Sequence, residues 1–359
     1  MGSASYRAAN RPDKVLGTYL LMRVAAMDQR IVLRARIETL RHRIEGRHDA
    51  QLRMPIDSST AQRDRRDVHA HLRRRDRTMV CMARVRIGPG GLPSRESPEA
   101  SVERLVERGY DACEIDLGDG FWMDWDFARR LGEIAHEASL RLSVHAPLAG
   151  FLGHAEAGGR KHQMAVGMLD HTAGLAVACD AAPVVIHPGF LLGRSREAAI
   201  DAVVDQLTAL GTRLSAKGRA VPFGIEVMGR VQELGSLDDV LAISARVDWV
   251  RPVIDFAHMH ATSDGGFVTP ERFAAALEAA DKVLAPGIPF HIHFSDVSYA
   301  NRNEKAHLPY GEGTLRAEPL AEALARFDRS ATVIMESPDD ASNQKIHAIL
   351  AAGARGARV

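Results

Sequence analysis

Apolar and polar positions fall into two regimes along this chain. From Ala83 onward, short apolar runs lie near 84–87, 111–117, 141–146, 183–187, 221–227, 250–255, 289–294 and 331–336. These runs are nearly continuous rather than alternating, as expected of strands covered on both faces. Between them, apolar residues recur at helical spacing over Pro98–Glu107, Asp126–Ala138, His162–Ala178, Glu197–Leu214, Leu237–Ala245, Pro270–Lys282, Pro319–Phe327 and Asn343–Ala352. Eight strand–helix units in about 270 residues predict an α/β fold of the (βα)8 TIM-barrel type over residues 81–359. A doubly wound open sheet is the alternative. It would want a glycine-rich phosphate turn after its first strand, and Gly88-Pro89-Gly90-Gly91 contains a proline and opens no immediate helix.

Residues 1–80 follow other rules. Strand patterns bounded by glycine are missing, and only Ile37, Leu40 and Ile44 carry helical spacing, which predicts a helix around 28–45. The run from Arg63 to Arg77 is too charged to pack and reads as a linker. Formal charge sharpens the division. The first 80 residues hold 18 Lys and Arg against 9 Asp and Glu, and the remainder holds 28 against 37. A basic N-terminal extension, disordered or partly helical, thus precedes an acidic body. Such an arm is either a nucleic-acid tether or a passive extension upstream of Met79 or Met82. No apolar run is long enough to span a membrane, and no signal-peptide pattern is present. Cys81, Cys113 and Cys179 are scattered, which predicts a reducing, cytoplasmic setting and no disulfide framework.

The candidate chemistry sits at the strand ends, where a barrel of this type carries its active site. The sixth strand ends in Asp255, with His258 and His260 close behind. The third ends in Ser143-Val144-His145, the fourth in His187-Pro188-Gly189 and the fifth in Glu226. The seventh is Phe290-His291-Ile292-His293-Phe294, followed by a loop bearing Glu304, Lys305 and His307, and the eighth ends in Glu336. Any one of these is ordinarily a hydrogen-bonding residue. Six consecutive strands ending in His, His, Glu, Asp, His and Glu, almost without lysine or arginine, call for cations, because buried carboxylates are costly unless compensated. Mixed imidazole and carboxylate donors suit zinc or manganese.

These residues resemble the endonuclease IV-type apurinic/apyrimidinic endonucleases, within the xylose isomerase-like barrels. The resemblance spans roughly residues 83–354. It rests on Ser143-x-His145, His187-Pro188-Gly189, Ile225-Glu226, Asp255-x-x-His258, His293-x-x-Asp296, His307 before Gly311-x-Gly313, and Glu336-x-Pro338. It implies a site of two to three zinc ions: His145, His187 and Glu226 on the first, Glu226, Asp255, His293 and Glu336 on the second, His258 and His307 on the third. Two departures stand out. The family places an aspartate two residues before the last histidine, where this chain has Lys305, so Glu304 is the expected substitute. The family also has a tyrosine and an asparagine soon after the first histidine, in a segment that contacts DNA, and this chain reads Leu148-Ala149-Gly150-Phe151.

The activity so implied is zinc-dependent hydrolysis of the phosphodiester at abasic sites in DNA, a step of base excision repair. Glu226, Asp255 and Glu336 are its central carboxylates, and no protein nucleophile is needed. The alternative is a divalent-metal isomerase or epimerase acting on a small sugar or sugar phosphate, with Glu226, Asp255, His293 and Glu336 around one ion. The acidic body favours that alternative, since DNA binding wants positive charge. A metal-stabilised binding module is a third reading. No obligate protein partner and no membrane is implied.

Overall fold

The computed structural model describes residues 84–356. The N-terminal extension, including the helix expected around 28–45, lies outside the described residues. Eight parallel strands build the barrel: β1 (Val85–Pro89), β2 (Ala112–Asp116), β3 (Arg141–His145), β4 (Val184–Ile186), β5 (Phe223–Glu226), β6 (Val250–Asp255), β7 (Phe290–Phe294) and, last in the chain, β10 (Ala331–Met335). They are hydrogen-bonded in the order β1-β10-β7-β6-β5-β4-β3-β2. The remaining seam closes through a single parallel bridge, Gly90 to Glu114, with Gly91 N donating to Glu114 O at 2.8 Å and Asp111 N to Ile87 O at 3.1 Å. The open-sheet alternative is thereby excluded.

Helices α1 (Pro98–Glu107), α2 (Trp125–Glu137), α3 (Arg160–Ala178), α4 (Arg196–Ala216), α5 (Leu237–Ser244), α7 (Pro270–Asp281), α8 (Ala317–Leu324) and α9 (Asp340–Gly356) run between the strands and after the last one. All eight expected helices are present, within about three residues at most ends. Local chemistry sets several starts. Ser97, Asp124 and Ser195 cap α1, α2 and α4 through their side chains, and Ser236 with Asp239 forms a capping box on α5. Ile115, Val144, Ile225, Ile254, Ile292 and Val333, at alternate strand positions, are fully buried, as are Leu105, Leu131, Ile134, Leu207, Ile243 and Leu277 on the helices. This apolar layer outside the strands is the main core.

Two elements go beyond the sequence pattern. A short helix, α6 (Phe256–Thr262), follows β6 directly. The loop expected after β7 is an antiparallel hairpin, β8 (Asp296–Ala300) and β9 (Asn303–Leu308), turned by Asn301 and Arg302 with φ of 52° and 61°. Two consecutive left-handed residues form the turn that matches strand twist, so the hairpin is compact.

The barrel interior is more polar than the layer outside it, although Val185, Val253 and Ile334 share its phase. Pairing places Glu114 beside Ser143, Asp255 beside His293, and Val253 beside His291. Side chains of period two therefore stack inward toward the C-terminal mouth. Lower down in the same phase stand Arg86, Arg141 and Arg251, close enough to feel one another's charge, and burial and this mutual repulsion lower Arg86 and Arg251. The membrane expectation agrees with the fold: among the described residues no helix is long and apolar enough to cross a bilayer. Cys113 and Cys179 are buried and free.

A glycine inside β1 serves the seam. A Cβ on Gly88 would lie 1.7 Å from the Ala112 carbonyl oxygen, so β1 and β2 meet only because that position lacks a side chain. Gly88→Ala is expected to destabilise the barrel by about 1–3 kcal/mol or more, the usual cost of overpacking. Urea unfolding checks this, and an unchanged midpoint contradicts it.

Candidate metal centre

Glu226, at the end of β5, is the centre of the mouth. It is 2% exposed, and its two oxygens face different partners. Oε2 lies 3.1 Å from His145 Nε2 and 3.3 Å from His187 Nε2. Oε1 lies 3.2 Å from His293 Nδ1 and 3.5 Å from His258 Nδ1. His293 Nδ1 is also 3.4 Å from Glu336 Oε1 and 3.9 Å from Asp255 Oδ2. Four donor groups result among the described residues: His145, His187 and Glu226; Glu226, Asp255, His293 and Glu336; Asp255, His258 and His307; and, deeper in the barrel, Glu114, His291 and His293. The nine residues singled out from the sequence all converge on this mouth.

The imidazoles are aimed by their other nitrogen. Nδ1 of His145, His258 and His307 sits 2.9, 2.7 and 3.0 Å from the carbonyl oxygens of Ala146, Val227 and Glu336. A carbonyl only accepts, so each Nδ1 carries the proton. Each Nε2 then offers its lone pair to the cluster, the arrangement expected of metal-ligating histidines. Asp255 has two duties. Its Oδ1 accepts from His258 N at 2.8 Å and so caps α6, while its buried Oδ2 has no hydrogen-bond partner and faces the cluster.

Glu304 joins the third group by a register shift. In the hairpin Ser298 pairs with Ala306 but Tyr299 with Glu304, leaving Lys305 as the extra residue of a β-bulge. Regular alternation would send Glu304 and His307 to opposite faces. The bulge brings them to the same side and leaves Lys305 exposed. Glu304 Oε2 is 3.0 Å from His258 Nε2 and Oε1 is 3.3 Å from His307 Nε2. The hairpin docks through Glu304 N to Gly229 O at 2.8 Å.

In the chain without cations, protons balance the cluster. Burial alone would depress His145, but the hydrogen bond and charge of Glu226 outweigh it and lift the imidazole to about 9. Burial likewise opposes protonation at His258 and His293, and the surrounding carboxylates, first Asp255 and Glu336 respectively, overcome it. Burial raises Asp255 and Glu336. It also works against the charge on Glu226, which the His293 charge and the hydrogen bonds of His145, His187 and His293 nevertheless hold well below the usual carboxylate range. Divalent cations fit this donor set, because they would replace the same protons on the same lone pairs. The orphaned Asp255 oxygen is a ready ligand for such an ion.

Some motif residues have structural roles instead. His260, grouped with Asp255 and His258 in the sequence, points away. Its Nε2 bonds Thr314 Oγ1 at 2.8 Å, and its Nδ1 accepts from Phe267 N at 3.3 Å. Asp296 is fully buried and accepts from the backbone of Val297, Gly311, Gly313 and Leu315 and from Arg316 at 2.9–3.1 Å. It pins the loop after β9. A Cβ on Gly313 would come 2.4 Å from Asp296 Oδ1, which explains a glycine there.

Sequence reasoning passed over Glu114, on β2, and gave no role to His291. Glu114 is 1% exposed and 2.9 Å from His291 Nε2. Its signal was a carboxylate in the middle of the run Ala112–Asp116, in phase with the inward positions and with Asp116.

The mouth encloses a cavity of about 610 Å³. Leu148, Phe151, Phe190 and Met228 supply apolar walls, and Asp116, Asp119 and Glu233 add carboxylates. Among the described residues Arg230 is the one lysine or arginine lining it.

A family model described as xylose isomerase-like TIM barrel matches residues 102–356. An uncharacterized protein of Methanocaldococcus jannaschii is 30% identical over 254 residues, which is 70% of this chain and 91% of that one. Among solved structures, a D-tagatose 3-epimerase-like protein is 20% identical with a TM-score of 0.59, over 76% of this chain and 98% of its own. Endonuclease IV from Thermus thermophilus is 18% identical with a TM-score of 0.57, over 76% and 99%.

Asp296→Ala would leave several buried N–H groups and the Arg316 charge unpaired. It is expected to cost about 1–3 kcal/mol, the range for leaving buried donors without their acceptor, since the Arg316 side chain is 41% exposed and adds little. Hydrogen exchange should accelerate first at Gly311, Gly313 and Leu315, and protection equal to the wild type would contradict the anchoring role.

Proposed function

The chain belongs to the xylose isomerase-like TIM barrel family, and from that premise we propose that it is a metal-dependent phosphodiester hydrolase on the endonuclease IV plan, acting at abasic sites in DNA. Proteins of this superfamily bind divalent metals. The observation that carries the reading is the split of Glu226, one oxygen toward His145 and His187 and the other toward His293. A carboxylate so placed could serve two neighbouring ion sites, which suits a hydrolase that clamps a phosphoryl group between paired cations.

His145, His187 and Glu226 would hold the first ion, Glu226, Asp255, His293 and Glu336 the second, and Asp255, His258, His307 and Glu304 a third. Zinc suits this donor set, and manganese is compatible with it. When bound, such ions supply Lewis acidity to phosphoryl oxygens and make a nearby water more acidic. The protein's own part is to fix the ligands. Backbone carbonyls hold three imidazoles in one tautomer, Asp255 couples the second and third groups, and Glu304 adds negative charge beside His258 and His307. The apolar walls limit water around the scissile ester.

Charge favours a second reading. Among the described residues the cavity carries one arginine and several carboxylates, a lining less basic than a nucleic acid wants. A small sugar or sugar phosphate would suit it, with Glu226, Asp255, His293 and Glu336 around one ion and epimerisation next to a carbonyl as the reaction.

Two experiments separate these readings. Metal-loaded protein should incise a labelled duplex bearing one abasic site, and chelation should abolish the cut. Glu226→Gln should reduce incision by more than about a hundredfold, beyond the cost of losing an outer-sphere partner. Absent incision, with solvent deuterium entering a ketose, the epimerase reading replaces the hydrolase. Glu304→Ala should reduce the metal content by one ion per chain by mass spectrometry while the Glu226 pair stays filled. An unchanged count removes Glu304 from the third group.

A further inference from the structure

His293 is turned the opposite way from His145, His258 and His307. Its Nδ1 faces the cluster, and its Nε2 points back into the barrel, 3.0 Å from Glu114 Oε1. That contact is close, but it misses the direct line of a ring hydrogen bond, so both atoms lack an aligned partner. No backbone carbonyl is recorded at Nε2 among the described residues.

Glu114 itself is held firmly. Its Oε2 accepts from Ser143 Oγ at 2.7 Å and lies 2.9 Å from His291 Nε2. Glu114, His291 and His293 are all at most 5% exposed. One carboxylate oxygen is thus locked by two side chains from β3 and β7, and the other is left for His293 alone. Without a cation Nδ1 meets the Glu226 carboxylate at 3.2 Å; with the Nδ1 lone pair given to a cation, the proton of a neutral His293 would sit on Nε2 and face Glu114, a carboxylate that only accepts.

We propose that Glu114 is a positioning residue that fixes the orientation and tautomer of His293 for metal binding, with Ser143 and His291 holding it in place. This rests on the reading that the mouth binds divalent cations, but on neither reaction. Glu114 is 1% exposed at the foot of the cavity, and its effect passes through His293. A carboxylate behind a ligating imidazole also raises the basicity of the ring, so the loss should fall on affinity at the group that uses His293.

Glu114→Gln is the informative change. Glutamine keeps the shape and can turn its amide to donate to Nε2, which puts the proton on Nδ1, where the metal should be. Metal-free wild type and E114Q are titrated with Zn²⁺ against a chromophoric chelator. One ion is expected to bind about 10–100-fold more weakly in E114Q, with total capacity at saturation unchanged. Imidazole ¹⁵N spectra of the zinc-loaded wild type should show His293 protonated at Nε2, and the E114Q spectrum should lose that signature. Should E114Q fail to fold, Ser143→Ala removes only the 2.7 Å contact and is expected to weaken the same ion by a smaller factor.

Equal affinity in wild type and E114Q, or a wild-type His293 protonated at Nδ1, overturns the inference and leaves the metal reading intact. Loss of one whole ion in E114Q also overturns it, because Glu114, His291 and His293 would then be ligands themselves. A wild type that binds no divalent ion overturns the metal reading, and this inference with it.

Discussion

A carboxylate deep in a protein must find positive charge, and Glu226 finds it on both sides. Its oxygens are each shared between imidazoles from different parts of the barrel mouth. The cost of burying that charge unpaired is several kcal/mol, which makes the surrounding histidines a requirement of the fold as well as of the chemistry. The metal-free cluster meets the requirement with protons on His145, His258 and His293. Cations would meet it with the same lone pairs. Stability of the mouth and readiness to bind metal are therefore one electrostatic problem.

That problem can exist only because the barrel separates its two apolar and polar layers. Alternate strand positions bury aliphatic side chains outward against the helices, and the positions between them line an interior rich in Glu, His, Ser and Arg. The interior is arranged in levels, with arginines at the closed end, Glu114, Ser143 and His291 above them, and the donor groups at the mouth. Each level supplies partners to the next. Burial, and after it the charges of His293 and Arg251, keep His291 below its ordinary value, so that a neutral His291 can donate to Glu114.

Several residues carry both the backbone and the site. Asp255 caps α6 with one oxygen and faces the donor cluster with the other. Asp296 spends both oxygens on the loop that follows β9. Glu304 reaches the cluster through a bulge, which turns a spacing of three residues into a shared face. Each is a case in which local backbone geometry decides what a polar residue of the motif does.

The sequence by itself determined the barrel and most of the donors. Strand and helix periods follow from local burial demands, so eight strands and eight helices were legible one element at a time. A histidine or acid at the end of an apolar run was equally visible, which is why all nine expected donors converge. Tertiary structure alone decided which polar residues point where. His258 and His260 lie two apart in the sequence, yet α6 turns one toward the cluster and the other toward Thr314. Lys305 looked like an intruder until the bulge turned it out. Glu114 stayed hidden because its partners, His291 and His293, are 177 and 179 residues away along the chain. Contacts of that range depend on barrel closure and strand register, and a one-dimensional pattern records neither.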